Sequence, residues 1–386
     1  MTTNYQHSKT ANKACQATRN NFSISARHRP NGWVPEYNRR RSHTRMTLPS
    51  FQRQNFLERQ IMRLTHMLLL GLGFAWGFSG ITQASAPTDG YGIYDSSTPI
   101  SAIVAKECFP RLDKISAGGF KLVLNYTVLD GDAPGILAYL DHAYSKGMKV
   151  IFALHDPTFW NGGDLRAKYP DLAAQSHCSD NQSFVAYVVN LVKGHPGLWG
   201  YYIADEVDAG QHAQLKAFTD RIKQLDPGHP RLIVQSAEDG GAKKVVAPVV
   251  DTADVLGADW YPVGCWAAHQ SVDQTARVVS ELQEVVDLQT DKQSAMVLQA
   301  FSWSQYPKQQ WRYSPRREAP YPTPSELKSM LAQSIANSNP RVILWYSYFD
   351  ILKSDHPALR WNNLVEAIKS SSPRPAAGSS SSELRQ

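Results

Sequence analysis

Cysteine is scarce in this chain, with four in 386 residues. Beyond residue 86 only Cys108, Cys178 and Cys265 remain. Three is odd, so at most one internal disulfide forms; a set of buried free thiols fits equally well. Their spacing matches no zinc motif, and no His, Cys and carboxylate grouping has metal-ligand spacing. No metal or other cofactor is expected. A basic body is lacking too. The formal net charge is +6, yet residues 1–61 carry 11 Lys/Arg against 2 Asp/Glu, and the remaining chain carries 29 against 32. The charge belongs to the head, so a phosphate-binding face and a nucleic-acid partner are not expected of the main domain. There is no internal repeat beyond an alternation of strands and helices. No long apolar run follows residue 86, and the run before it, Met67–Ile81, is short for crossing a hydrocarbon core of about 30 Å.

That run belongs to a segment with three recognisable parts. Arg63 gives a basic start, Met67–Ile81 an apolar centre, and Ala84-Ser85-Ala86 a small-x-small cleavage site. Residues 62–86 thus read as a secretory signal peptide, placing the mature protein outside the cell or in its envelope without stable membrane insertion. Residues 1–61 are polar and show no periodic apolar face. They read as disordered chain, or as sequence upstream of a true start at Met62. The tail, residues 371–386, is rich in Ser and Pro and reads as disordered.

Between head and tail one rhythm repeats eight times: a β-branched or aromatic run, a polar loop, then a helical stretch. The runs are Tyr91–Ser96, Phe120–Leu129, Met148–His155, Leu198–Glu206, Arg231–Ser236, Asp254–Pro262, Ala295–Trp303 and Arg341–Asp350. Most are continuously apolar, as strands buried on both faces require. Amphipathic stripes lie between them, among them Leu215, Phe218, Ile222 and Leu225. Thr323-Pro324-Ser325-Glu326 is a capping box with Pro at the first helical position. The pattern predicts a single α/β domain over 87–370, a (β/α)8 TIM barrel. A doubly wound open sheet would need a Gly-rich turn after the first strand, and YGIYDSSTP lacks one.

A barrel of this kind carries its active site at the C-terminal ends of its strands. Those ends hold carboxylates beside aromatic rings, a combination suited to a sugar, whose ring stacks and whose rim hydrogen-bonds. Glu206 is the leading catalytic candidate. Regular alternation puts Tyr202, Ala204 and Glu206 on one face, and Asp205 joins them only where the strand end twists or bulges. A second carboxylate is available in Glu238, Asp259 or Asp350. Asp95, Asn125, His155, Tyr261, Gln299, Trp303 and Trp345 are candidates for substrate binding; for His155 and the tryptophans, core packing is the competing reading. The loop Ser304–Pro322 carries Tyr306, Trp311, Tyr313 and Tyr321, and a loop so long and aromatic shapes a site. Its Arg312, Arg316 and Arg317 either contact acidic glycans or form a solvated basic face.

The run His195–Glu206 (HPGLWGYYIADE) resembles strand 4 of the clan A glycoside hydrolases. That clan closes the strand with Asn-Glu and uses the Glu as acid/base, which implies this role for Glu206, with Asp205 in place of the Asn. Gly257–Pro262 (GADWYP) resembles the clan's sixth strand, whose Tyr supports the nucleophile. Ile343–Tyr348 resembles the eighth, whose Trp lines the sugar pocket. The resemblance covers roughly residues 91–370. It fails at strand 7, where the clan places a nucleophilic Glu and this chain has Leu298-Gln299-Ala300-Phe301. The expected function is a secreted glycoside hydrolase acting on an oligo- or polysaccharide; the alternative is a glycan-binding barrel without hydrolysis. Protein recovered from medium or envelope is expected to begin at Pro87. N-terminal sequencing that finds Met1 on the exported protein excludes that cleavage.

Overall fold

A computed structural model describes residues 86–264, 271–306 and 319–371. The head, most of the proposed signal peptide, Cys265, the Trp311–Arg317 part of the aromatic loop and the tail from 372 lie outside the described residues.

Eight runs of branched, leucine and aromatic residues form eight parallel strands. They are β1 (Tyr91–Asp95), β2 (Leu122–Asn125), β3 (Lys149–Ala153), β4 (Leu198–Asp205), β5 (Arg231–Ser236), β6 (Val255–Trp260), β7 (Gln293–Gln299) and β8 (Val342–Tyr346). Each pairs with the next, and β8 returns to β1 with Tyr91 opposite Ile343 and Ile93 opposite Trp345, closing the barrel. The expected (β/α)8 architecture is the one observed. Except at β5, the strands end before their apolar runs do, because the last residues of those runs turn into the loops above the barrel.

The principal crossover helices are α1 (Phe109–Ala117), α2 (Ala133–Ser145), α3 (Asn181–Val192), α4 (His212–Leu225), α5 (Ala242–Val246), α6 (Thr275–Asp287), α7 (Pro324–Ala336) and α8 (Pro357–Ser371). Their starts follow from local chemistry. In the predicted box at α7, Glu326 accepts from the Thr323 amide at 2.7 Å and Thr323 Oγ1 accepts from the Glu326 amide at 3.3 Å. Asp180 and Ser183 form a second box at α3. Such reciprocal caps satisfy amides that the first helical turn leaves free. Leu215, Phe218 and Ile222 of α4 are buried, as their stripe requires. Cys108 and Cys178 are both free thiols, and burial pushes the Cys108 thiol up to about 11. Among the described residues no helix is long and apolar enough to cross a membrane.

Pairing register shows which side chains face the barrel axis. Tyr94 of β1 meets Tyr202 of β4 with ring centroids 6.1 Å apart, a contact made across the interior. Tyr201, the next residue back, instead reaches Asp226 at the end of α4 (2.7 Å), on the outer side. Alternation then assigns Gly92, Leu232, Val234, Gly257, Val297 and Leu344 to the interior through their partners. Gly92 leaves room there, since a Cβ on it would lie 2.5 Å from Leu344.

Strand β4 departs from regular pairing twice. Its register with β3 skips Trp199, and its register with β5 skips Ile203. Each skipped residue is a bulge that re-aims the residues after it. Close packing accompanies the first, because a Cβ on Gly200 would sit 2.3 Å from the Pro230 carbonyl oxygen. That neighbour is backbone and cannot swing aside. Gly200→Ala is expected to lower stability by about 1–3 kcal/mol, the usual cost of overpacking. Urea unfolding should show a lower midpoint with unchanged slope; a wild-type midpoint would refute the packing argument.

Candidate active site

The second bulge in β4 determines what reaches the barrel mouth. Tyr202 pairs with Leu232 and Asp205 with Val234, two positions of the same face of β5. Tyr202 and Asp205 therefore both point inward although only Ile203 and Ala204 lie between them. Regular alternation predicts Asp205 outward; the bulge at Ile203 reverses that. Asp205 accepts the Tyr126 hydroxyl at 2.6 Å. Glu206 follows with φ of +51°, in the left-handed region, a conformation that costs a non-glycine residue about 1–2 kcal/mol. Its amide still donates to the Val234 carbonyl at 2.8 Å. The ladder is kept while the side chain leaves the line of the strand and becomes exposed.

Asp259, at the C-terminal end of β6, lies beneath. It pairs with Ser236 on one side and Val297 on the other, so it faces inward. It is only 2% exposed. Burial first, then the charges of Glu206, Glu238 and Asp205, push its carboxyl well above the usual range, and Glu206 shares a hydrogen bond with it. A carboxyl so buried and so crowded by other acids keeps its proton where an ordinary aspartate loses it. Glu238 stands just after β5, in the turn Ala237–Asp239. Three consecutive strand ends thus gather Asp205, Glu206, Glu238 and Asp259.

Tyrosines enclose the acids. Tyr94 packs on Tyr126 and Tyr346, each at 5.1 Å, and Tyr126 lies 4.5 Å from the His155 ring. Tyr261 lies 5.8 Å from Tyr346. Burial, followed by the nearby aspartates, raises the phenols of Tyr94, Tyr202 and Tyr261 well above the ordinary value. They remain neutral hydrogen-bond donors facing carboxylates.

Other candidates stand elsewhere. Asp95 is fully buried between Ser97 Oγ (2.6 Å) and Arg111 (3.1 Å), on the helix side of β1. Asn125 binds the Ser97 carbonyl and the Thr127 amide, tying two loops together. Gln299 is fully buried and inward, but its amide is occupied: Oε1 accepts from the Val263 amide at 2.7 Å, and Nε2 donates to the carbonyls of Val263 (2.9 Å) and Phe301 (3.1 Å). Asp350 receives Ser347 Oγ and the Tyr306 hydroxyl, each at 2.6 Å, and so anchors the aromatic loop. Trp303 is 2% exposed and donates to the Tyr261 carbonyl. Trp345 pairs with Ile93 and Leu298 on the outer face; its neighbour Tyr346 is the ring at the mouth. The structure thus brings together Asp205, Glu206, Glu238, Asp259, His155 and Tyr261. Strand parity turns Asp95, Asn125 and Trp345 toward the helix side of the barrel. Tyr94, Tyr126, Tyr346 and Ser236 are added; the first three were legible as tyrosines closing apolar runs.

No protein-family model matches this chain, and no curated protein matches it in sequence. Solved structures similar to it include glycoside hydrolases. One is a GH5_18 variant from Streptomyces cattleya in complex with Manβ1-4GlcNAc, at 14% identity, covering 74% of this chain and 82% of that one, TM-score 0.49. Another is a GH113 β-1,4-mannanase complex, at 10% identity over 74% and 98%, TM-score 0.49. A third is a hyperthermostable endo-1,4-β-D-mannanase from Thermotoga petrophila, at 12% identity over 66% and 88%, TM-score 0.41. The likeness is one of fold, and the chemistry is read from this chain's own residues.

Asp259 is held protonated in the folded chain at pH values where an unfolded aspartate has ionised. Its presence therefore costs stability as pH rises above the ordinary aspartate range near 4, and costs nothing below it. Asp259→Asn keeps the shape and removes that cost. At pH 7 the variant is expected to be more stable by about 1–3 kcal/mol. Thermal unfolding should show the gap closing as pH falls toward 4. A variant less stable than wild type at pH 7 would overturn the assignment of a neutral, crowded Asp259.

Proposed function

We propose that this chain is a secreted glycoside hydrolase that cleaves an extracellular carbohydrate, with Glu206 as the proton donor. The observation that supports the reading is Glu206 exposed at the barrel mouth with Asp259 buried at the neighbouring strand end, its carboxyl held neutral, and tyrosines ringing both. Glycosidic cleavage needs a carboxylic acid that keeps its proton near neutral pH and delivers it to the leaving oxygen. Asp259 keeps the pair protonated, and Glu206 is the member exposed enough to deliver the proton.

Carboxyls that flank a glycosidic bond stand about 5–5.5 Å apart for retention and about 6.5–9.5 Å apart for inversion. A hydrogen bond brings carboxyl oxygens to within about 3 Å. Glu206 and Asp259 therefore act as one acid on one side of the bond. Glu238, in the turn that follows β5, is the carboxylate assigned to take the proton of an attacking water. In this scheme the leaving oxygen gains the pair's proton as the C–O bond breaks, the water oxygen joins the anomeric carbon, and the water's proton passes to Glu238.

A second reading, a barrel that binds glycans without cutting them, is favoured by one observation: Gln299 replaces the strand-7 acid and is committed to backbone groups. One variant separates the two. Glu206→Gln removes the transferable proton while keeping volume, and hydrolysis measured by reducing-end release is expected to fall about 10²–10⁴-fold. Glycans with good leaving groups, which need less protonation, should lose far less. Near-wild-type cleavage of a natural glycan by this variant would exclude Glu206 as the donor. Absence of any cleavage by wild type across a glycan panel that it binds would favour the second reading.

A further inference from the structure

We infer that Tyr126 is the platform on which the sugar ring beside the cleaved bond lies, with Asp205 as the positioning residue that holds it there. This rests on the hydrolase reading and names what its site takes: a neutral pyranose presented by its flat C–H face.

Of the four tyrosines Tyr94, Tyr126, Tyr202 and Tyr346, one keeps open surface. Tyr94, Tyr202 and Tyr346 are at most 2% exposed, whereas Tyr126 is only partly buried against the core. Its ring lies 4.5 Å from His155, 5.1 Å from Tyr94, 6.1 Å from Tyr346, 6.2 Å from Tyr202 and 6.4 Å from Phe349. Rings on so many sides fix its tilt and leave its remaining surface to the mouth. A tyrosine held this way presents a large apolar contact with little rotamer freedom left to lose.

The hydroxyl of that ring is held from across the barrel. Tyr126 follows β2 and Asp205 ends β4, and both strands pair with β3, which lies between them. The phenol nevertheless donates to Asp205 Oδ2 at 2.6 Å, spanning the end of β3. A hydroxyl-to-carboxylate bond of this length is about twice as strong as one between neutral groups. Asp205 reaches the phenol because the bulge at Ile203 turns it inward. The same bond places the ring relative to the acid. Glu206 is the next residue, its Cα about 3.8 Å from that of Asp205, and it is exposed at the mouth. A sugar lying on Tyr126 is thereby set beside the Glu206 carboxyl. An aromatic face binds by contact area, so it asks for an apolar sugar face and no charge. A uronate laid there would bring its carboxylate against Asp205.

The experiment uses the full chain and β-linked hexamers of glucose, mannose and N-acetylglucosamine, with binding measured by calorimetry and cleavage by reducing-end release. Tyr126→Leu keeps apolar volume and removes the flat ring. It is expected to weaken binding of the best of the three hexamers about 10–100-fold, the loss typical of an aromatic anchor. KM should rise in step while kcat falls less than about threefold, because the contact serves ground and transition states alike. Tyr126→Phe restores the ring and should recover affinity to within about fivefold. In binding, Tyr126→Phe, Asp205→Ala and the double variant should share one small loss, since each removes the same bond. A purely structural Tyr126 predicts a lower melting temperature with the affinity of the folded protein intact. NMR saturation transfer decides the matter even where Tyr126→Leu fails to fold. Transfer from aromatic protons should favour the C–H protons of one sugar face and vanish when the tyrosine rings are deuterated. In that deuterated background Tyr126→Phe should bring it back. Even transfer to all sugar protons, wild-type affinity in a folded Tyr126→Leu, or no binding of any hexamer by wild type overturns the inference. The hydrolase reading fails separately: binding that depends on Tyr126 without cleavage of any glycan sinks hydrolysis and leaves the platform standing. Cleavage indifferent to Tyr126→Leu does the reverse.

Discussion

A carboxyl group buried among other carboxylates is the constraint around which the upper half of this barrel is built. Water would stabilise Asp259 as an anion, and the barrel denies it water. The protein neutralises the group instead, holding Asp259 protonated beside Glu206. Everything nearby is consistent with keeping that proton in place. Tyrosines fill the space around the acids, so the dielectric stays low and like charges are felt strongly. Their phenols stay neutral, and Tyr126 holds Asp205 in a fixed direction. The β4 bulge and the left-handed backbone at Glu206 present two adjacent acids to one space, which a regular strand cannot do. Both features cost stability, and sites tuned for chemistry commonly carry such costs.

What could be read from the sequence and what could not divides along one physical line. Strand identity depends on local composition, so all eight runs and the Thr323 capping box were legible. The β5 run, Arg231–Ser236, matches its strand end to end. Facing depends on pairing with another strand, which no local pattern contains. Asp205 was legible as an acid at a strand end, but its inward direction follows from the register skip at Ile203. Trp345 is named from the resemblance of its strand, with core packing as the competing reading; one residue of parity puts it on the helix side. Asp95 and Asn125 share that fate, since both stand at odd steps from Tyr94 and Leu124. Ser236 carried no signal at all, because a serine at a strand end is unremarkable until its missing hydrogen bond is seen.

Gln299 shows how one substitution and the acid cluster belong to a single arrangement. Its side chain is a strut, with two hydrogen bonds joining the end of β7 to the Val263 backbone, just past Asp259 and Tyr261, and a third to the Phe301 carbonyl. A glutamate there would keep the acceptor for the Val263 amide but would face two carbonyl oxygens with no proton to give. It would also add a fifth acid close to Asp259, whose ionisation is already opposed by three. The strut and a strand-7 carboxylate are therefore alternatives for one position. With Gln299 in place, the β6 loop is pinned and the carboxylates are displaced to the ends of β4, β5 and β6. The acid chemistry of this barrel lies on one side of its axis, opposite an aromatic wall made by β1, β2 and β8. A ligand entering such a mouth meets hydrogen-bond acceptors on one flank and ring faces and edges on the other. That asymmetry fits a ring-shaped ligand with an apolar face and a donor-rich rim, which is the shape a sugar presents.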